Sequence, residues 1–396
     1  MHAVTTEFPT HGYVAPGFEE VREVFQANFD DDIDVGAAFC VEQHGEKLID
    51  LWGGYRDRDC TMAWHGDTLV NLYSTTKGLA SAVLAWLVEQ GLLDYDAEVR
   101  AYWPELKAAA NGLKVGQLLS HQAGLCGLQQ TLAVEDLYHH ATIADLLAQA
   151  DPLWEPGSAT GYHAVTWGFL AQELSLRVSG RTLGELLKHH FSIPLEADIH
   201  IGLAGEEHLR VAEMIGARFA RVQPDRTLLA EEEMPELYPI ALANPIIRPY
   251  KDVCSRAWRD AEIPAANGHG SARGVARLYA VLAEVMQRQL PRGHTILGVD
   301  ALAAATTQEW GLEEDLVLGS PMRRGRGFNL NTQQQYGPVA SAFGHSGAGG
   351  SLGFADPLNG LGFGYVMNQM QSGLDEDTRA GRLIRAVYRC YQRLPI

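Results

Sequence analysis

Cysteine, positive charge and long apolar runs are all scarce in this sequence, and each scarcity removes a class of function. Five cysteines among 396 residues, Cys40, Cys60, Cys126, Cys254 and Cys390, are odd in number and widely scattered, with no C-x-x-C pair. That spacing excludes a disulfide framework and a zinc ribbon, and the residues read as buried free thiols. The fifteen histidines include the doublets His139-His140 and His189-His190, but H-E-x-x-H is missing. No metal and no cofactor are expected. Lys and Arg number 31 against 49 Asp and Glu, a net charge of −18. Nucleic acid and anionic membrane would be repelled, so the expected partner is a small neutral or apolar molecule, with the protein a monomer or small homo-oligomer. No run of about 18 apolar residues occurs, and Met1 to Phe18 lacks a basic region followed by an apolar one, which leads to the expectation of a cytoplasmic protein.

What is present is an ordinary globular composition, 46% hydrophobic and 20% charged, in a chain long enough for a large core. Apolar spacing predicts a helix over Phe18 to Phe29. Val35 to Cys40 and Lys47 to Trp52 read as a hairpin across the polar stretch Glu42 to Glu46. Leu69 to Tyr73 delivers the chain to a helix that runs to Gln90 and is stopped by Gly91. Helical patterns over Leu113 to Leu119, Ile143 to Ala150, Trp167 to Val178, Thr182 to His190 and Val275 to Gln287 fill the middle, with Glu231 to Pro264 irregular. Strand patterns return in Phe343 to Ala355 and Leu361 to Met367 across an Asn-Gly turn, and Asp375 to Leu394 closes as an amphipathic helix. The order predicts an α/β (α+β) fold in which both chain ends form one sheet flanked by helices, residues 1–85 and 285–396. A mainly helical domain, 86–284, is inserted, and the active site is expected at the interface.

Ser74 and Lys77, in Asn71-Leu72-Tyr73-Ser74-Thr75-Thr76-Lys77-Gly78, stand three residues apart at the start of a helix. That spacing puts a hydroxyl and an amine on one face. Unpaired N–H groups and the positive helix end favour an alkoxide there. A serine is a weak nucleophile unless a base is held within hydrogen-bond distance, and lysine serves only when neutral. Burial and the helix end both push its pKa down. A second candidate, Tyr162 in Gly161-Tyr162-His163-Ala164, could pass a proton between Ser74 and a leaving group. The third is Gly344-His345-Ser346-Gly347-Ala348, where glycines let a ligand approach strand N–H groups. Gly349-Gly350-Ser351-Leu352-Gly353 matches G-x-S-x-G, but that motif works as a strand-to-helix elbow, and the residues after Ser351 read as strand and turn.

Taken in order, S-x-x-K at 74, the Gly-Tyr turn at 162 and His-Ser-Gly at 345 resemble the serine β-lactamase and penicillin-recognising family. Leu118 to Leu125, Trp154-Glu155-Pro156-Gly157 and Gly268 to Arg273 are similar to the family as well. Ala164 stands where class C β-lactamases carry asparagine, and His345 where they carry a lysine for the substrate carboxylate. These departures make the sequence most similar to the family VIII carboxylesterases. The resemblance implies an antiparallel sheet, Ser74 as nucleophile, Lys77 as base and Tyr162 sharing the proton transfer. It implies an oxyanion hole at the N–H groups of Ser74 and Ala348, substrate contacts from Ser346 and Gly347, and a His345 that orients Tyr162 or the substrate. The expected reaction is hydrolysis of short-chain carboxylic esters through an acyl-enzyme. An amidase, peptidase, β-lactamase or acyltransferase on the same site, and a silent binding protein of this fold, are the alternatives.

Overall fold

The computed structural model describes residues 8–216, 235–289, 296–371 and 379–394. Of the segments read above, the first seven residues of the N-terminal stretch, residues 231–234 of the irregular stretch and 375–378 of the closing helix lie outside them. The chain starts with β1 (Thr10–Val14), α1 (Glu19–Asp30), β2 (Gly36–Gln43) and β3 (Glu46–Gly54). It continues through β4 (Val70–Asn71) into α2 (Thr75–Glu89), and after several short helices reaches α3 (Thr166–Ser179) and β5 (Ile199–Ile201). Then follow β6 (Gly268–Gly270), α4 (Ala272–Met286), β7 (Asn329–Leu330), β8 (Phe343–Ser346), β9 (Leu352–Asp356), β10 (Leu361–Met367) and α5 (Arg379–Arg393).

Seven strands form one antiparallel sheet in the order β1-β3-β2-β10-β9-β8-β7. The two chain ends meet at its centre, where Ala38 of β2 lies opposite Val366 of β10. Helix α4 packs directly on this centre. Gly362 of β10 permits it, because a Cβ there would fall 2.0 Å from the Ala280 nitrogen. Helix α2 is hydrophobic nearly all round and buried from Thr75 to Ala85, as suits a helix enclosed on every side.

Two readings needed correction. The first hairpin turns tightly at His44-Gly45, both with left-handed φ (48° and 79°), and not across five polar residues. Glu42 is drawn into the strand because its carboxylate, 1% exposed, pairs with Arg277 of α4. Phe343 to Ala355 is two strands, since Gly349 (φ 83°) and Gly350 (φ 114°) turn the chain between β8 and β9. Leu69 to Tyr73 contributes only the two residues of β4, paired with β6 in a separate three-stranded sheet, β4-β6-β5. The described part of the irregular stretch contains short helices at Tyr238–Leu242 and Arg256–Asp260. Among the described residues no helix is long and apolar enough to cross a membrane.

Candidate active site

Strand β4 and helix α2 are joined by a sharp corner at Tyr73, whose φ of 45° is left-handed. A tyrosine adopts that conformation at a cost of about 1 kcal/mol. Ser74 follows at the N-cap of α2, half-buried, without the side-chain bond to the helix N–H groups that a capping serine makes. Its Oγ lies instead 3.2 Å from Lys77 Nζ, one turn along the same face.

Lys77 is fully buried, and its Nζ also reaches Tyr162 Oη at 3.1 Å, Ala164 O at 2.7 Å and Ala265 O at 3.1 Å. Burial, with Arg324 nearby, holds its pKa well below the ordinary lysine value. The contacts fit that state. A neutral amine has two N–H donors, which the two carbonyls take, and a lone pair left for a hydroxyl proton.

Tyr162 comes from the turn ahead of α3 and is 9% exposed. Burial pushes its phenol up to about 12, while Ser74 and Arg324 pull the other way. Its backbone N–H donates to Asp315 Oδ1 at 3.0 Å. His345, in β8, stands beside it with ring centroids 6.4 Å apart and no hydrogen bond between them. The imidazole is 1% exposed and donates from Nδ1 to Ser346 O at 2.7 Å, and burial holds its pKa well below the usual value, so it is neutral.

The end of β8 brings the third motif to the corner. Gly347 lies so close to Leu72 that a Cβ would meet its carbonyl oxygen at 2.3 Å. Ser346 is half-buried, and Ala348 is exposed at the start of a single short helical turn, Ala348–Gly350. Ser351 is fully buried, with its hydroxyl donating to Leu72 O at 2.7 Å and 3.0 Å from Thr75 Oγ1. Strand β9 follows it, so no elbow forms.

Three contributors went unread in the sequence. His121, with φ 70°, is buried with its ring 5.0 Å from that of Tyr162, and it lay unremarked inside the Leu118 to Leu125 segment. Asp315 and Arg324 form a buried ion pair beside Tyr162, and nothing in residues 310–325 marks them out from an exposed charged loop. Among the described residues no group of three or more His, Cys, Asp or Glu side chains is arranged to hold a metal ion.

With this geometry in hand, likeness to known proteins can be stated. The sequence profile of the Beta-lactamase family matches residues 25–387. Esterase/beta-lactamase LipL of Mycobacterium tuberculosis is 31% identical over 388 residues, 93% of this chain and 85% of that protein. The solved structure of a family VIII carboxylesterase is 43% identical with a TM-score of 0.88, over 96% of this chain and 100% of the other. A penicillin-binding protein homologue from Caulobacter crescentus is 38% identical with a TM-score of 0.86, over 96% and 100%. A profile that spans nearly the whole chain and relatives this similar along their length leave one conclusion: this protein belongs to the beta-lactamase family and is a serine-type hydrolase.

Proposed function

We propose that the protein hydrolyses short-chain carboxylic esters through an acyl-enzyme on Ser74. The observation that carries this reading is the setting of Lys77: buried, its Nζ within hydrogen-bond distance of Ala164 O and Ala265 O and 3.2 Å from Ser74 Oγ. Ser74 gives its proton to Lys77, with Tyr162 Oη at 3.1 Å from Nζ sharing the transfer, and Oγ attacks the ester carbonyl. The N–H groups of Ser74 and Ala348 receive the oxyanion, each worth about 3 kcal/mol if lost. The alkoxide departs with the proton held by Lys77 and Tyr162, and water then releases the acid from Ser74. No cofactor takes part.

Preference for esters over β-lactams is supported by three points. His345 is neutral and buried, so it offers no charge to a substrate carboxylate. Ala164 has no side-chain amide, and the 43% identical structure is a carboxylesterase. The preference for short acyl chains rests on the family resemblance. A second reading, β-lactam turnover, draws on the Mycobacterium tuberculosis relative, whose name joins both activities.

The test is hydrolysis of p-nitrophenyl butyrate and of a chromogenic cephalosporin by the wild type, Ser74→Ala and Ser351→Ala. Ester turnover by wild type and Ser351→Ala, lost in Ser74→Ala and with little cephalosporin turnover, is the expected outcome. Fast cephalosporin turnover would favour the second reading. Turnover that survives in Ser74→Ala would overturn the nucleophile.

A further inference from the structure

Residues Asp315 and Arg324 are 0% and 1% exposed and paired with each other, next to Tyr162. One oxygen of Asp315, Oδ1, accepts three backbone N–H groups, from Tyr162 at 3.0 Å and from Val317 and Leu318 at 2.9 Å each. The other oxygen takes Arg324 Nη2. The guanidinium then lies with its central carbon 5.4 Å from the centroid of the Tyr162 ring, while Lys77 Nζ lies 4.8 Å from the same centroid. Arg324 Nε and Nη1 are buried and have no hydrogen-bond partner among the described residues. Enclosing a charge with two donors idle costs several kcal/mol that an apolar pair of the same size would not. Stability therefore gives no reason for an arginine here.

We propose that Arg324, anchored by Asp315, is a positioning residue for Tyr162 and the positive neighbour of the Ser74–Lys77–Tyr162 group. The proposal rests on the reading of that group as catalytic. His345 cannot fill this role, being neutral. Other titratable groups facing Lys77 and Tyr162 are His121 and His163, both buried and neutral, and Tyr336, whose phenol burial also pushes up. On Tyr162 the charge of Arg324 outweighs that of Asp315, and on Lys77 it adds to burial in favouring the neutral amine. A cation over the ring also favours negative charge on the phenol oxygen as it passes a proton.

The experiment follows the rate at which a fluorophosphonate labels Ser74, read by intact mass across a pH series, with p-nitrophenyl butyrate hydrolysis in parallel. Removing the positive neighbour makes Lys77 easier to protonate, so the acidic limb of labelling should move up. The double variant Asp315→Asn/Arg324→Met, which removes both charges and keeps the acceptor for the three amides, is expected to shift it by about one pH unit. Arg324→Lys keeps the charge and should leave the limb in place. Should the double variant not fold, Arg324→Gln, which keeps a donor for Asp315, is expected to shift the limb the same way. A folded charge-removing variant whose limb does not move, or an Arg324→Lys limb that moves as far, overturns the proposal. Wild-type protein that labels at Ser74 but hydrolyses no ester would fail the esterase reading alone, and wild-type protein that does not label would fail both.

Discussion

An amine enclosed with two carbonyls and no carboxylate has every reason to shed its proton. Lys77 is in that position: among the described residues no acidic side chain pulls its pKa back up. On the proposed mechanism the base must be neutral to accept the Ser74 proton, so activity is expected to rise with pH as Lys77 deprotonates. The acidic limb of kcat/KM is thus expected well below 10.5, the ordinary lysine value. No loss from Tyr162 ionisation is expected until close to pH 12. Lys77→Met should lower kcat/KM at least about 100-fold and abolish the limb. Lys77→Arg should not rescue it, because a guanidinium stays charged. Initial rates across pH would check all four, and a limb near 10.5 would show that Lys77 is not held neutral.

Helix α2 shows how tightly the elements around the site are set. Gly78, next to the base, admits Tyr279 of α4, whose Oη would stand 1.9 Å from an added Cβ, with His345 Cβ at 3.4 Å. Gly78→Ala should gain about 1 kcal/mol in helix propensity. It should lose about 1–3 kcal/mol to overpacking, because Tyr279 is fully buried and cannot swing aside. Net destabilisation by urea unfolding is expected, and a stabilised variant would contradict the packing described here. The long elements were legible because their apolar stretches are long and their ends are marked: α2 with its stop at Gly91 (φ 69°), and α3 within one residue of Trp167 to Val178 at each end. Elements fixed by distant partners were not. Two-residue β4 exists only because β6 pairs with it, and β2 continues through Glu42 only because Arg277 of α4 meets the carboxylate.

At the scale of the whole molecule, the site draws Ser74 and Lys77 from α2, Tyr162 from the turn before α3 and His345 from β8, parts far apart in sequence. Each motif is short, and their order along the chain made them readable together. Asp315 and Arg324 carry no motif, and only folding puts them against Tyr162. Closure of the sheet through β2 and β10, with Arg379 at the start of α5 paired to buried Asp34 at 2.8 Å, holds the chain ends together around this assembly. The central claim is that Ser74 carries the acyl group. Its most direct test is the mass of the whole protein, acid-quenched at saturating p-nitrophenyl butyrate and then digested to locate the adduct. A butyryl group on the peptide that contains Ser74, missing from Ser74→Ala, is the expected result; a butyryl group on Ser351 or any other residue would contradict the account.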